Sequence, residues 1–168
     1  AFGAAIYSKF PIERPTESDY GAGLGVLAAP RAVLNVGGRT VAVYGVHLFP
    51  PYVSRLAFMK QQLEALTSCL REETHPVIVA GDFNFTDRSR MHARICRLGL
   101  VDAHNAAGRG RGVTWPNLGW LSVFPKIRID HVFTGRGLTA IRCVTGTGSG
   151  SDHRPVIADV AWAHGSGW

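Results

Sequence analysis

Asp82 and Asn84 stand two residues apart at the end of the run Val77-Ile-Val-Ala-Gly-Asp-Phe-Asn84. A short apolar run bounded by Pro76 and Gly81 predicts a buried central strand. Side chains two apart on an extended chain point the same way, so Asp82 and Asn84 leave the strand tip together, an anion beside a neutral amide. Phe83 points the other way, into the core. Such a pair can hold a metal, orient a water or grip a phosphate oxygen. It can equally be an Asx-type turn that caps the backbone. Three further stretches put the same residue types at predicted strand ends: His47 after 40–46, Asp130 with His131 inside 127–134, and Asp152 with His153 just before 156–162. One polar strand end is ordinary. Four carrying only His, Asp and Asn predict a single rim.

Two Asp-His adjacencies, an Asp-x-Asn and a terminal His suit hydrolysis of a phosphate ester. That reaction needs a cation against the phosphate charge, a water opposite the leaving group and donors for the developing charge. A carboxylate behind a histidine can fix its tautomer or hold it protonated against a phosphate oxygen. Oxygen-rich ligands favour Mg2+ or Mn2+. Zn2+ ranks lower because no pair has the close spacing of a zinc motif. Serine-nucleophile chemistry ranks lower still, since the chain has no Gly-x-Ser-x-Gly.

The elements that must position these residues follow from periodicity. Residues 2–8 read as a strand and the polar stretch 13–20 as a loop. Gly37-Gly38 predicts a hairpin turn between 31–36 and 40–47. Leu56, Met59, Leu63, Leu66 and Leu70 recur on one face and predict a helix over 53–72. A second helix is expected over 89–98, and strands over 127–134, 138–144 and 156–162. No period survives from 102 to 126. This stretch holds Arg109, Arg111, Trp115 and Trp120, and an irregular segment of such length is usually functional. Its tryptophans could stack on bases and its arginines meet phosphates, with Arg154 adding positive charge. The structural alternative is that Trp115 packs beneath the site. Strands outnumber helices yet are partly separated by them, which predicts an α/β (α+β) layered protein with mixed sheets.

With 168 residues, 46% hydrophobic and 18% charged, the chain is expected to form one domain over 1–162 with a frayed tail at 163–168, and disorder is excluded. No apolar run reaches the roughly 20 residues that span a bilayer, so a soluble domain without membrane contact of its own is expected. A net charge of +6 suits a polyanionic partner such as nucleic acid, anionic lipid or a phosphorylated small molecule. Cys69, Cys96 and Cys143 are an odd, scattered set, which excludes a disulfide framework and argues against structural zinc.

Gly45-Val-His-Leu48, Gly81-Asp-Phe-Asn84, Thr114-Trp115, Arg128-Ile-Asp-His-Val132 and Ser151-Asp-His-Arg-Pro-Val156 occur in this order. Each is weak alone; the ordered set closely resembles the endonuclease/exonuclease/phosphatase superfamily, with its deoxyribonuclease I-like fold. His-Leu-Phe-Pro-Pro after Val46 is most similar to a bacterial subgroup often attached to membrane segments, some of whose members act on lipid-linked phosphates. The resemblance implies a four-layer α-β-β-α sandwich of two mixed sheets and a nuclease or related phosphatase dependent on Mg2+ or Mn2+. It implies that Asp82 activates the attacking water and Asn84 fixes Asp82 and a phosphate oxygen. His153, paired with Asp130, contacts the scissile phosphate; Asp152 helps bind metal; His47 is a donor or general acid. His131 should face away, in a structural role. The family's first two strands, one carrying an Asn and one ending in a Gln-Glu whose Glu is the principal metal ligand, have no match here. That departure implies an N-terminally truncated domain, impaired metal binding or a non-catalytic binding module, and self-association through exposed sheet edges.

Overall fold

A computed structural model of the protein describes residues 4–18, 29–52, 56–117, 125–148 and 150–163, apart from the side chains of 14–18 and 29. Among the described residues eight strands and three helices follow one another: β1 (Ile12–Ser18), β2 (Ala29–Val36), β3 (Arg39–His47), α1 (Leu56–Glu72), β4 (Val77–Asp82), α2 (Arg90–Cys96), β5 (Val101–Asp102), α3 (Ala103–Ala107), β6 (Asp130–Thr134), β7 (Leu138–Thr145) and β8 (Val156–Trp162). Six strands form one sheet in the order β1-β2-β3-β4-β6-β5, and β7 pairs with β8 in a second. β3 and β4 run parallel while the other pairs are antiparallel, so the larger sheet is mixed. Parallel neighbours need a long crossover, and α1 provides it.

The period-2 alternation of β3 divides the core. Ala42, Tyr44 and Val46 face α1 and α2, where they pack with Val77, Val79, Phe133, Met59, Leu63 and Leu66. Val41 and Val43 face the other way, with Ala32, Leu34 and Ile78 of the same sheet, toward Leu138 and Trp162 of the second sheet. Farther along the sheet, Val132 meets Ala140, Cys143, Val156 and Ala158, with Ala103 and Ala107 of α3. The fold is thus the expected α/β sandwich of two sheets, with α1 and α2 over the larger one. Gly37 and Gly38 turn β2 into β3 at φ +62° and +83°, the two positive angles of a tight hairpin that glycine supplies without strain.

The described structure departs from the sequence expectations in local places. Residues 4–11 make no strand; Ile6 packs against the Ala32, Leu34 and Val41 cluster, but Tyr7 is 95% exposed, so this apolar run is only partly covered. The polar stretch expected to be a loop contains β1 instead, an edge strand on β2, where Pro15 is tolerated because an edge leaves one side of the backbone unpaired. The aperiodic segment begins with β5 and α3. Asp102 caps α3 by accepting from the backbone N–H groups of His104 and Asn105, so one side chain sets a helix too short to show a period. Among the described residues no helix is long and apolar enough to cross a membrane.

Candidate active site

Strand register builds the site. His47 of β3 lies opposite Asp82 of β4, and Asp82 lies opposite Asp130 of β6, so three adjacent strands deliver His47, Asp82 and Asp130 in one row. The close approach just before it requires Gly81: φ is +143°, and a Cβ there would stand 2.0 Å from the Val46 carbonyl oxygen. Beyond Asp82 the backbone turns at Asn84, whose φ of 52° is left-handed, a conformation Asn tolerates better than most residues. The Asn84 N–H donates to Asp82 Oδ1 at 2.8 Å, and its Nδ2 donates to the Leu48 carbonyl at 2.8 Å and to Asp82 Oδ2 at 3.2 Å. The Asx turn and the functional pair are therefore the same structure: the turn aims Asp82. Phe83 is fully buried between them, with its ring 5.3 Å from Phe85 and 5.2 Å from Phe133.

The fourth strand end arrives from the second sheet. His153, ahead of β8, places Nδ1 2.8 Å from Asp130 Oδ2, which leaves Nε2 for a ligand. Its loop is tied down by residues of the aperiodic segment. Asn117 Nδ2 donates to the carbonyls of Gly148 and Ser151, its N–H donates to the Asp152 carbonyl at 2.7 Å, and its Oδ1 accepts from Arg154 Nε. Buried Thr114 holds the Asp130 side: its hydroxyl accepts from the N–H groups of Ile129 and Asp130.

Burial raises the Asp82 carboxyl above its usual pKa, and the Asp130 charge adds to this; the Asn84 N–H, His153 and His47 oppose it. The His153 imidazole is raised chiefly by its hydrogen bond to Asp130, against burial. His47 Nε2 stands 3.7 Å from Asp82 Oδ2. The site thus sets a carboxyl pushed toward neutrality beside a histidine pushed toward its charged form, and perturbed titratable groups gathered in one place are a mark of functional sites.

These groups line a cleft of about 620 Å³ together with Asn84, Asp152, Pro50, Pro51, Tyr52, Trp115, Ile127 and Ile129. Trp115 therefore reaches the site. Arg109 and Arg111 do not line this cleft; the Arg109 N–H instead bonds the Cys143 carbonyl on β7. α3 and the Gly108–Cys143 bridge direct their segment along β7, outside the cleft lining. Arg154 lines an adjoining cavity of about 530 Å³ that shares Asp130 and His153 with the cleft. Trp120 lies outside the described residues.

Asp82, Asp130 and His153 can each offer one ligand atom within 4.8 Å of the others. Two crowded, part-buried carboxylates with a third, Asp152, on the same cleft fit a hard divalent cation. A second group, His92, Asp102 and His131, meets the same spacing in the core. There, Arg128 Nη1 bonds both Asp102 oxygens at 2.7 and 2.9 Å, filling the carboxylate edge that a cation would need. Sequence reasoning missed Asp102, Thr114 and Asn117 as supports. Thr114 lay within a quoted motif; Asp102 and Asn117 sat in a stretch with no period to mark them.

A sequence profile of the Endonuclease/Exonuclease/phosphatase family matches residues 1–153. The chain belongs to this family. The Escherichia coli (strain K12) protein YbhP is 30% identical over 168 residues, covering 94% of this chain and 62% of that protein. This chain therefore spans less than two thirds of that relative's length. Among solved structures, a mannosyl-6-phosphatase of Bacteroides thetaiotaomicron superposes with a TM-score of 0.73 at 17% identity, over 92% of this chain and 68% of that one. A truncated Caenorhabditis elegans TDP2 gives 0.66 at 18% identity, over 94% and 69%. These two likenesses establish the fold.

Proposed function

We propose that the chain is the catalytic part of a phosphoesterase. One observation carries this reading: the register row His47–Asp82–Asp130, closed by the Asp130–His153 hydrogen bond at the mouth of one cleft. In the reaction, the oxygen of a water attacks phosphorus opposite the leaving oxygen and gives its proton to Asp82. The bond from phosphorus to the leaving oxygen breaks, and that oxygen takes a proton from His47. His153, charged against Asp130, binds a non-bridging oxygen as negative charge grows in the transition state. Asn84 keeps Asp82 aimed through its two hydrogen bonds. The carboxylates of Asp82, Asp130 and Asp152 would hold Mg2+ or Mn2+; when bound, the ion neutralises phosphate charge. Hydrolysis of bis-p-nitrophenyl phosphate with Mg2+ or Mn2+ tests the reading, and an inert protein in both this and a longer reading frame removes it.

The apolar part of the cleft lining favours one substrate class over another. Pro50, Pro51, Tyr52, Trp115, Ile127 and Ile129 form it, and among the described residues lining the cleft there is no Lys or Arg. A duplex tracked along its phosphates needs cations in register with them. A single phosphate ester carrying an apolar or planar group needs an anion-tolerant end and an apolar wall. This supports a phosphatase-type or lipid-linked phosphate substrate over DNA. The phosphatase named among the structural neighbours is compatible with it. Parallel assays on plasmid DNA and on a long-chain alkyl phosphate decide between them, and faster cleavage of DNA removes the preference. A binding module without catalysis predicts instead that ligand binds and neither ester is cleaved.

A further inference from the structure

Asp102 is 2% exposed, lines no part of the cleft and plays no part in the chemistry above, yet it is the most heavily bonded side chain described. Its carboxylate accepts from both His104 and Asn105 N–H groups, from Arg128 Nη1 through both oxygens, and lies 2.8 Å from His92 Nε2 and 3.0 Å from His131 Nδ1. The partners matter because of where they sit in the chain. Arg128 and His131 flank Asp130, two residues before it and one after. The far nitrogen of His131, Nε2, lies 2.9 Å from the carbonyl of Phe85, which follows Asn84. The second guanidinium nitrogen of Arg128 bonds Asn105 and stands 3.1 Å from Asp87 of the same loop. Buried side chains thus connect the backbone that carries Asp130 to the backbone that carries Asp82 and Asn84, and Asp102 is their shared anchor.

Such an anchor has a task here. Asp82 and Asp130 are like charges in one row, part-buried, and repulsion favours their separation. Ladder hydrogen bonds fix β4 against β6 as far as Asp82 and Asp130, and the Phe83 N–H donates to the Ile129 carbonyl one residue further on, but Asn84 and Phe85 lie beyond those backbone bonds. We propose that Asp102 is a positioning residue that holds the Asp82–Asn84 turn against Asp130 through His131 and Arg128. The proposal rests on the phosphoesterase reading for its effect on rate, and on geometry alone for its effect on the turn.

The test is Asp102→Asn in the 168-residue chain and in a longer frame. The substitution keeps an oxygen for the α3 cap and removes the charge that gathers Arg128, His92 and His131. Activity on bis-p-nitrophenyl phosphate should show kcat lowered about 10- to 100-fold with KM changed less than about threefold, because misplacement by fractions of an ångström acts on the reacting geometry. Glu73→Gln, which disturbs a separate buried network, should lower stability and leave kcat unchanged. His131→Gln cuts the link to Phe85 and carries the same expectation if Asp102→Asn does not fold. The amide resonances of Asn84 and Asp130, compared between wild type and variant, need no activity. Their displacement together with the kcat loss supports the proposal. A folded Asp102→Asn protein with wild-type kcat, or with both amides unmoved, overturns it. An inert wild type removes the phosphoesterase reading instead, and the amides then decide the positioning claim alone.

Discussion

Phe83 is where the core and the catalytic turn meet, so its truncation gives a sharp quantitative prediction. The side chain is 0% exposed and sits among Phe85, Phe133 and His131 with centroids at 5.3, 5.2 and 5.7 Å. Phe83→Ala removes a ring from a site that helices and strands enclose on all sides, which prevents easy collapse; the expected cost is about 3–5 kcal/mol. Phe83→Leu keeps most of the volume and loses the edge contacts, at about 1–1.5 kcal/mol. Against a total stability of about 5–15 kcal/mol, Phe83→Ala gives a weakened protein whose Tm falls by roughly 6–20 °C. Urea unfolding followed by circular dichroism measures the difference, with an unchanged m-value showing that the same surface is exposed. Because Asp82 and Asn84 bracket this ring, Phe83→Leu should also lower activity at a temperature where it is fully folded. A loss below about 1 kcal/mol for Phe83→Ala would refute the packing on which the turn depends.

Further predictions follow from the same geometry. Gly81→Ala meets the Val46 carbonyl at 2.0 Å at a positive φ, so it should destabilise by more than about 3 kcal/mol or prevent folding, as thermal melts will show. Burial opposes ionisation of Glu73, but the His75 N–H and ring, Arg31 and the Tyr44 hydroxyl together lower it from 4.5 to about 2. A depressed carboxyl stabilises the fold above its unfolded pKa and loses that contribution as pH falls from about 4.5 toward 2. This is about 2 kcal/mol after allowance for solvent, and Glu73→Gln should flatten the acid limb of stability measured by urea titration. A raised His153 keeps activity that needs its charged form until pH rises through that elevated value. Asp130→Asn removes the chief cause, so the alkaline limb of the pH-rate profile should move to lower pH.

Much of the site was legible because its residues end strands. An apolar run that stops at Gly-Asp-Phe-Asn states both the strand and the direction of its last side chains, and the register then aligned His47, Asp82 and Asp130. The stripe of α1 was equally plain. Local periodicity could not show how far an apolar run is covered: 4–11 forms no strand and leaves Tyr7 exposed, while polar β1 pairs on an edge because its partner strand supplies the hydrogen bonds. Asp102 was invisible for a related reason. Its side-chain partners lie 10 to 29 residues away, and only the fold assembles them. The place of Arg109 and Arg111 was not legible because a glycine-rich basic stretch declares its charge, not its direction, which the backbone bridge to Cys143 decides.

The central claim is that Asp82 serves as the base in phosphate-ester hydrolysis on this rim. Wild type and Asp82→Asn should be compared on bis-p-nitrophenyl phosphate in Mg2+ or Mn2+, both confirmed folded. The isosteric amide preserves the shape of the turn and cannot take the proton. Asp82→Asn should lose about 10²- to 10⁴-fold in kcat, and hydrolysis by Asp82→Asn at the wild-type rate would refute the role of Asp82 as base.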